Sequence, residues 1–495
     1  MANYQKLNIV HVASEVDPFS KTGGLADVVR SLPKAQKRLG HDVCVITPMY
    51  EKIIDKKKHH IKLIEKDINI IINSKDTIKV NFYKGHLMHD LPVYFIENKK
   101  YFSKRKAIYG SDHENARFMA FNVAALRLIS MFDAKPDIIQ CHDWQTGLIP
   151  FYIKTKFHYT KNLAKTKTLY TIHNLAFQMG MNWWKIPLKF KDYGKDKLPR
   201  LSDKKVEYIN FAKRAIMSAD AINAVSENYA NEIMTKKFGQ DLHNILKNRQ
   251  HKVFGIINGI DYQAFNPITD PGLKKKFDAK TINAKEINKY WVQKKFDLEI
   301  NAKAPLICMT SRVTFQKGFE LVLKIIKPLM KLNIQIIIIG AGDKKYIKEL
   351  SKVAKKYPAK LTIIPSSADC QLYETLIYAG ADFILLPSHY EPCGLNQLKA
   401  MRYGCVPIVH KVGGLFDTVE NYDITKKTGA GFVFDNFDSY ELYGAIIKAL
   451  YVFQDKSKWK SIVEHDMRQS SSWEIPAKKY IDLYQKILNG NGRKQ

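Results

Sequence analysis

The sequence predicts an α/β protein made of two doubly wound parallel sheets. Two series of apolar β-like runs recur along the 495 residues, with helical stretches between the runs. The runs are almost continuous in Ile and Val, which is typical of strands buried on both faces of a parallel sheet. A polar, lysine-rich stretch at 272–304 separates the two series, so we expect two domains facing one another across a cleft.

Each series of runs predicts one domain. The runs of the first series are Leu7–Glu15, 42–48, 138–143, 168–174, 221–226 and 253–259. The runs of the second series are 306–312, 334–340, 361–365, 381–388, 406–410 and 431–434. We therefore expect a first domain over 1–262 and a second over 263–472, followed by a segment whose apolar residues have helical spacing.

Composition argues against several classes of protein. The formal net charge of +31 is spread thinly, and no RNA-recognition signature or helix-turn-helix accompanies it, so we expect a solvated basic surface and no nucleic-acid partner. No run of about 18 apolar residues occurs, and the first residues lack a signal-peptide pattern, so we expect no membrane partner and a cytoplasmic protein. Six scattered cysteines form no C-x-x-C pair, which argues against a disulfide scaffold or zinc module.

The motif Lys21–Gly24 follows the first predicted strand, at the end where open α/β sheets bind ligands. Paired glycines let the backbone approach a ligand closely, and the amides of the helix predicted from Ala26 favour an anion. The spacing is neither that of a dinucleotide fingerprint nor that of a P-loop. An ordinary strand–turn–helix connection and a binding loop both remain open from these residues alone.

Two loops of the second series follow strands in the same way. Arg312 and Lys317 bracket one loop, and two fixed cations suit a diphosphate leaving group whose charge grows as its bond to carbon breaks. Two unrelated surface cations are the alternative. Gly413 and Gly414 follow the strand 406–410 and repeat the strand–GG–helix pattern of the first half, which favours a phosphate-facing loop.

The stretch 381–401 carries the strongest signal. A strand ends at Pro387, and Glu391 then precedes a helix predicted to begin near Gly394. A carboxylate at that place caps many helices, but it can also accept sugar hydroxyls while the amides beyond it meet a pyrophosphate. Cys393 has no evident histidine-plus-acid arrangement, which favours a packing role over a nucleophilic one.

Six ordered motifs covering nearly the whole chain resemble those of glycosyltransferase family 5, the bacterial glycogen synthases and plant starch synthases. The motifs are KTGGLADV (21–28), HDWQTGL (142–148), YTIHNLAFQ (170–178), SRVTFQKG (311–318), PSHYEPCGLNQLKAM (387–401) and VGGLFDTV (412–419). The resemblance implies the GT-B fold, two Rossmann-like domains with a C-terminal helix (473–495) packed back on the first. It also implies retaining transfer of glucose from ADP-glucose to the non-reducing 4-hydroxyl of an α-1,4-glucan.

The resemblance also implies roles for individual residues. Arg312 and Lys317 match the pair that holds the diphosphate, Glu391 matches the acid that contacts the transferred glucose, and His173 matches the residue against its reactive face. The other matches are Lys21, Gly23, Gly24, Asp27, Asn258, Cys393, Gly394, Leu395, Gly413 and Gly414 on the donor side, and Asp143, Trp144 and Asn174 on the acceptor side. No aspartate cluster with metal-ligand spacing accompanies the phosphate loops, so we expect no metal and no cofactor.

The chain departs from the family pattern at three places. Asp369 stands near the position of a tyrosine that stacks on adenine in many members, with Tyr373 four residues on. His389 replaces a common arginine, and Lys399 occupies the eighth position after Glu391, where related glycosyltransferases often have a second glutamate. A UDP-glucose-preferring or other GT-B glucosyltransferase is therefore the alternative, and a non-catalytic glucan-binding protein is a further one.

Overall fold

A computed structural model describes residues 5–88, 90–110 and 112–490. The predicted domains also include positions 1–4, 89, 111 and 491–495, which lie outside the described residues. The chain divides into two compact units, of which the first extends to Asn258 and resumes at Trp473, and the second comprises Gly259–Ser472. Each unit contains a sheet with parallel strands, which confirms the predicted α/β class.

The first unit is built on a nine-stranded sheet. Its strands are β1 (Asn8–Val12), β2 (Asp42–Pro48), β3 (Lys62–Asn73), β4 (Asp76–Met88), β5 (Leu91–Glu97), β6 (Ile138–His142), β7 (Lys167–Ile172), β8 (Ala221–Ala224) and β9 (Val253–Gly255). The strand order is β3-β4-β5-β2-β1-β6-β7-β8-β9. Its helices up to Asn258 are α1 (Gly24–Arg38), α2 (Glu114–Ser130), α3 (Ile149–Lys154), α4 (Phe211–Ser218), α5 (Glu227–Glu232) and α6 (His243–Lys247).

Three strands of this sheet were not among the predicted runs. Strands β3 and β4 pair antiparallel, and β4 pairs antiparallel with β5, whereas the remaining pairs are parallel. The first half of β3 is exposed along its length, so it lacks the continuous apolar sequence of a strand covered on both faces. The continuous apolar sequence that identifies buried parallel strands is therefore absent from β3, the strand at this edge of the sheet.

The second unit contains a six-stranded, fully parallel sheet with the order β12-β11-β10-β13-β14-β15. Its strands are β10 (Leu306–Thr310), β11 (Gln335–Ile339), β12 (Leu361–Ile364), β13 (Phe383–Leu386), β14 (Val406–His410) and β15 (Phe432–Phe434). Its helices are α7 (Lys285–Lys295), α8 (Phe319–Leu329), α9 (Lys344–Lys356), α10 (Ser367–Gly380), α11 (Asn396–Arg402), α12 (Gly413–Thr418), α13 (Ser439–Gln454) and α14 (Lys456–Arg468).

The last helix, α15 (Glu474–Leu488), belongs to the first unit. Ala477, Tyr480, Ile481 and Tyr484 are fully buried in the core that this helix shares with β1 and α1. The hydroxyl of Tyr480 accepts a hydrogen bond of 2.8 Å from the side-chain amide of Asn223 in β8. The helix thus contributes both apolar area and polar contacts to the first sheet.

Strand order locates a ligand crevice in each sheet. In the first sheet β1 pairs with β2 on one side and β6 on the other, and in the second sheet β10 lies between β11 and β13. Open parallel sheets bind ligands beyond the carboxyl ends of the strands where the order reverses. The residues after β1 and β6, and those after β10 and β13, are therefore the ones to examine. None of the described helices is both long and apolar enough for a membrane crossing.

Candidate active site

The loop after β1 is organised by a buried glutamate. The amide of Thr22 donates a 2.5 Å hydrogen bond to Glu15 Oε2, and Lys21 Nζ lies 2.5 Å from Asp27 Oδ1. Burial raises the pKa of Glu15 to about 7, and the nearby charge of Asp143 acts in the same direction. Helix α1 begins at Gly24, and its N-cap residue Gly23 has no side chain with which to cap it. Glu15 thus anchors the loop at Thr22, and the Lys21–Asp27 ion pair joins the loop to the first turn of α1.

Glu15 was not among the predicted site residues. It is 2% exposed and lies three residues beyond the end of β1. The available sequence signal was a carboxylate at the end of the predicted apolar run Leu7–Glu15, shortly before a glycine pair. The hydrogen bond that Glu15 accepts from the loop could be recognised only from the three-dimensional structure.

Asp143 follows β6 and has a strained backbone. Its φ of 57° and ψ of −177° lie in a region that is almost restricted to glycine and that costs about 1–3 kcal/mol elsewhere. Asp143 Oδ1 accepts hydrogen bonds from the amides of His173 (2.7 Å) and Asn174 (3.3 Å), at the end of β7. Burial raises the pKa of Asp143 to about 7. The carboxyl ends of β6 and β7 are therefore joined by one acid.

His173 is half-buried and belongs to the same cluster. Its Nε2 lies 2.9 Å from His142 Nδ1. Burial lowers the pKa of His173 to about 3, so the ring is neutral at pH 7. No group in the described ranges bonds to its Nδ1, which leaves this nitrogen for a ligand.

The other predicted residues of the first unit occupy less direct positions. Trp144 is 5% exposed and packs edge-on against Phe118 and Phe211, with ring centroids 5.3 and 5.9 Å away, so its position is that of a core residue beneath Asp143. Asn174 is half-buried, and its Oδ1 accepts from the amide of Ala176. Asn258 is buried, and its Oδ1 has no hydrogen-bond partner within residues 5–88, 90–110 and 112–490.

In the second unit, Lys317 and Glu391 form an ion pair beyond β10 and β13. Lys317 Nζ lies 2.5 Å from Glu391 Oε2, and the hydroxyl of Ser388 donates to the same oxygen at 2.9 Å. Glu391 is 7% exposed. Helix α11 begins at Asn396, close to the start predicted near Gly394, and its N-cap residue Leu395 makes no capping hydrogen bond with its side chain. Glu391 precedes this N-cap by four residues, and its carboxylate contacts Lys317 and Ser388 instead of capping the helix.

The loops that carry Lys317 and Glu391 are joined through Gln316, a residue that the sequence analysis did not single out. The amide of His389 donates to the carbonyl of Gln316 at 2.9 Å, and the side chain of Gln316 donates to the carbonyl of Tyr390 at 3.4 Å. Its Oε1 also accepts from Arg312, an exposed cation, at 3.3 Å. Gln316 thereby joins the loop that carries Lys317 to the segment that precedes Glu391, and it also contacts Arg312.

Glycine is required where these loops meet. A Cβ at Gly318, whose φ is +73°, would lie 1.8 Å from the carbonyl oxygen of Pro387. A Cβ at Gly414 would lie 2.1 Å from the carbonyl oxygen of Cys393, and the Gly414 amide donates to the carbonyl of Glu391 at 3.0 Å. The predicted GG loop therefore packs directly on the backbone that carries Glu391.

The remaining predicted donor residues lie on the same loops. Gly413 and Gly394 have positive φ values of 47° and 71°, Leu395 precedes α11, and Cys393 is 5% exposed, as a packing residue is. Asp369 lies in the first turn of α10, where its amide donates to the hydroxyl of Ser366.

Two residues at or near the departures from the family pattern pair with neighbours. The Tyr373 ring packs edge-on against Phe296, with centroids 5.7 Å apart. Lys399 Nζ lies 3.0 Å from Glu374 Oε2.

Chemically, the second unit offers cations beside a carboxylate, and the first offers a neutral imidazole beside two carboxyl groups of raised pKa. Cations stabilise a departing diphosphate, and a carboxylate stabilises positive charge that develops on a sugar. In the part of the chain that the structure describes, no three His, Cys, Asp or Glu side chains are grouped to hold a metal ion.

Family comparisons agree with this chemistry. A family model described as the starch synthase catalytic domain matches residues 8–248, and one described as glycosyl transferases group 1 matches residues 293–461. A glycogen synthase of Geotalea daltonii is 39% identical over 498 residues, which cover 98% of this chain and 100% of that protein. A glycogen synthase of Lactobacillus acidophilus is 38% identical over 491 residues, covering 97% of this chain and all of its own.

Solved structures give the same result. The catalytic domain of starch synthase IV from Arabidopsis thaliana, bound to ADP and acarbose, matches with a TM-score of 0.85 and 31% identity over 98% of this chain and 100% of that one. Sucrose-phosphate synthase from Thermosynechococcus elongatus matches with a TM-score of 0.62 and 16% identity over 98% and 100% of the two chains, a likeness of fold alone.

Proposed function

Because the chain belongs to the glycogen and starch synthase family of glycosyltransferases, we propose that it transfers glucose from ADP-glucose to the non-reducing 4-hydroxyl of an α-1,4-glucan, with retention of configuration. Its two Rossmann-like units are those of the GT-B fold, as predicted. The single observation that carries the residue assignment is the Lys317–Glu391 pair beyond the carboxyl ends of β10 and β13.

The cations act on the leaving group. As the bond from glucose to the diphosphate breaks, negative charge grows on the phosphate oxygens, and Lys317 and Arg312 stabilise it. The amides of the Gly413–Gly414 turn and of the segment that ends at Leu395 take part in the same contact. In this proposal the positive charge comes from the protein, so the reaction needs no divalent ion.

Glu391 acts on the transferred glucose. Its carboxylate accepts hydrogen bonds from sugar hydroxyls, and its negative charge opposes the positive charge that develops on the sugar during transfer. The Ser388 hydroxyl and the Lys317 ammonium fix the carboxylate in one orientation before substrate binds. The preorganised acid therefore does not have to reorient during the reaction.

The first unit contributes His173 and Asp143. His173 presents a neutral ring nitrogen to the transferred glucose, and Asp143 holds the backbone of His173 and Asn174 in place for the acceptor. Trp144 packs against Phe118 in the core and so supports the loop that begins at Asp143. Lys21, Gly23, Gly24 and Asp27 form the donor loop, Asn258 contributes its unpartnered amide oxygen on the nucleotide side, and Glu15 fixes this loop through Thr22.

The starch synthase IV structure that resembles this chain holds ADP and acarbose, which supports ADP-glucose as donor and a glucan as acceptor. UDP-glucose is the second candidate, because Asp369 stands near the position where many family members have a tyrosine that stacks on adenine. A carboxylate cannot supply that stacking contact.

A competition assay separates these possibilities. Purified protein is incubated with glycogen and with ADP-glucose and UDP-glucose carrying different radiolabels, and polymer-bound label is counted with and without EDTA. We expect incorporation mainly from ADP-glucose, at a rate that EDTA does not change. Preferential incorporation from UDP-glucose would refute the donor assignment, and glycogen binding without incorporation would indicate a non-catalytic glucan-binding protein.

A further inference from the structure

A continuous row of hydrogen-bonded histidines ends at His173. His173 Nε2 lies 2.9 Å from His142 Nδ1, and His142 Nε2 lies 3.0 Å from His11 Nδ1. The three rings follow one another with centroid separations of 5.2 and 5.3 Å. His11 and His142 are fully buried in β1 and β6, so neither can contact a substrate directly.

The row continues from His11 into the C-terminal helix. His11 Nε2 lies 2.7 Å from Gln36 Oε1, and Gln36 Nε2 donates to the hydroxyl of Tyr484 at 2.9 Å. The Tyr484 hydroxyl in turn donates to Gln140 Oε1, whose amide nitrogen donates to the Thr171 hydroxyl at 2.8 Å. We name five of these side chains the histidine relay: Gln36, His11, His142, His173 and Tyr484. Gln140 and Thr171 continue the hydrogen bonds beyond it.

The amide of Gln36 decides the direction of every bond in the relay. Because its nitrogen donates to Tyr484, its oxygen accepts, and His11 must carry its proton on Nε2. His11 Nδ1 then accepts from His142 Nε2, and His142 Nδ1 accepts from His173 Nε2. His173 is thereby left with a lone pair on Nδ1, the nitrogen without a partner in the described ranges.

We propose that His11, His142, Gln36 and Tyr484 are positioning residues that hold His173 as the Nε2–H tautomer and present its Nδ1 lone pair to a hydroxyl of the transferred sugar. The inference rests on the proposed function, which places His173 against that sugar. A hydroxyl that donates to Nδ1 gains negative charge on its oxygen, which favours the positive charge developing on the sugar. The opposite tautomer would present a donor and lose this effect.

Burial supports one proton per ring. It lowers the pKa of His11 to about 4 and of His173 to about 3, and it lowers the pKa of His142 well below its ordinary value. Two titratable groups among the described residues contact the relay: Asp143 accepts from the His173 amide, and the Tyr480 ring packs against that of Tyr484 with centroids 6.3 Å apart. Burial raises the pKa of Asp143 and of the relay's own Tyr484.

The test compares two kinds of variant. Gln36→Met removes the group that sets the direction, and Tyr484→Phe removes one hydroxyl of the relay with less disturbance. Tyr480→Phe is the matched control, because it deletes another fully buried hydroxyl of α15 that bonds Asn223 outside the relay. The tautomers are determined from the NMR chemical shifts of the side-chain nitrogens in protein with ¹⁵N-labelled histidine. Each signal is assigned with a variant in which one histidine is replaced.

We expect His173 and His142 to be protonated at Nε2 in the unaltered protein. Gln36→Met should give mixed tautomers and lower kcat about tenfold or more, comparable to the loss when the hydrogen-bond partner of a metal-ligating histidine is removed. The KM for both substrates should stay within about twofold. Tyr484→Phe should move both readouts in the same direction, and Tyr480→Phe should change neither.

Three results would overturn the proposal. They are His173 protonated at Nδ1 in the unaltered protein, unchanged tautomers and kcat in folded Gln36→Met, and a loss of kcat in Tyr480→Phe equal to that in Tyr484→Phe. Failure of the proposed function is distinguishable, because it would leave the unaltered protein without transferase activity, whereas the tautomer measurement needs no substrate.

Discussion

Lys317 Nζ lies 2.5 Å from Glu391 Oε2, although the two residues are 74 positions apart in the chain. The pair is mostly buried, with side chains 16% and 9% exposed. In the proposed function, Lys317 acts on the leaving phosphate of a nucleotide-sugar and Glu391 acts on its sugar. The next two predictions separate the roles of the two partners.

Replacing Lys317 by Ala removes charge that acts mainly as the diphosphate departs. We expect kcat to fall about 10²-fold or more while donor affinity changes less, as for other preorganised charge-stabilising groups. Added magnesium should not restore the rate. Lys352→Ala is the control, because it deletes an exposed lysine that is paired with Glu349 in the same unit. Near-normal turnover of Lys317→Ala would refute its role at the leaving group.

Replacing Glu391 by Gln keeps the size and a hydrogen-bond acceptor but removes the charge. We expect a near-native melting temperature and a rate lowered by roughly two orders of magnitude, because the neutral side chain no longer opposes positive charge on the sugar. Asp343→Ala gives the contrast: Asp343 caps α9, so its loss should cost about 1 kcal/mol of stability with turnover unchanged. A destabilised Glu391→Gln protein with ordinary turnover would make Glu391 structural.

Asp143 should make stability depend on pH. Its pKa rises from an ordinary 3.8 to about 7 on folding, so the protonated acid stabilises the folded state at low pH, and this contribution is lost as pH rises through about 7. In Asp143→Asn the contribution is absent. The melting temperature of Asp143→Asn should therefore rise relative to that of the unaltered protein as the pH increases from about 5 to about 8.

Asp423 provides the opposite control for this pH dependence. The amides of Lys426 and Thr425 lower the pKa of this carboxyl, which is ionised in both folded and unfolded states above pH 5, so Asp423→Asn should lose stability by an amount that does not change between about pH 5 and pH 8. A constant melting-temperature difference between Asp143→Asn and the unaltered protein across the same pH range would show that the Asp143 carboxyl is ionised at ordinary pH in the folded state.

Gly414→Ala should damage the donor site without a change of charge. The added methyl group would lie 2.1 Å from the carbonyl oxygen of Cys393, so the loop carrying Glu391 must shift, at a cost of about 1–3 kcal/mol. Gly444→Ala adds the same group in α13 with no heavy atom within 4 Å, and it should be neutral or slightly stabilising. Calorimetry of unfolding and of ADP binding checks both. Equal behaviour of the two variants would contradict the close packing of the GG loop.

Apart from β5, the parallel strands of both sheets were predictable because strands covered on both faces must be apolar along their whole length. Strands β3 and β4 were not, because exposed antiparallel strands carry no such requirement. The site loops could be found for a related reason: a ligand site at the end of a strand places charged residues and glycines immediately after apolar runs.

Side-chain contacts across the fold could not be predicted in the same way. The Lys317–Glu391 pair and the histidine relay depend on strand order, which brings residues from distant parts of the sequence to neighbouring strand ends. The strained backbone of Asp143 leaves no mark in the sequence, since glycine, not aspartate, is the residue expected at that combination of φ and ψ. Trp144 illustrates the converse, because a motif position alone did not distinguish a core residue from a surface contact.

The most direct test of the central claim is to identify the glycosidic bond that the protein forms. Purified protein is incubated with glycogen and ADP-[¹⁴C]glucose, and the washed polymer is digested with β-amylase, which releases maltose from non-reducing α-1,4-linked ends. We predict that label enters the polymer and is released as maltose. Absence of polymer label, or label that β-amylase does not release as maltose, would contradict transfer to the non-reducing 4-hydroxyl with retention of configuration.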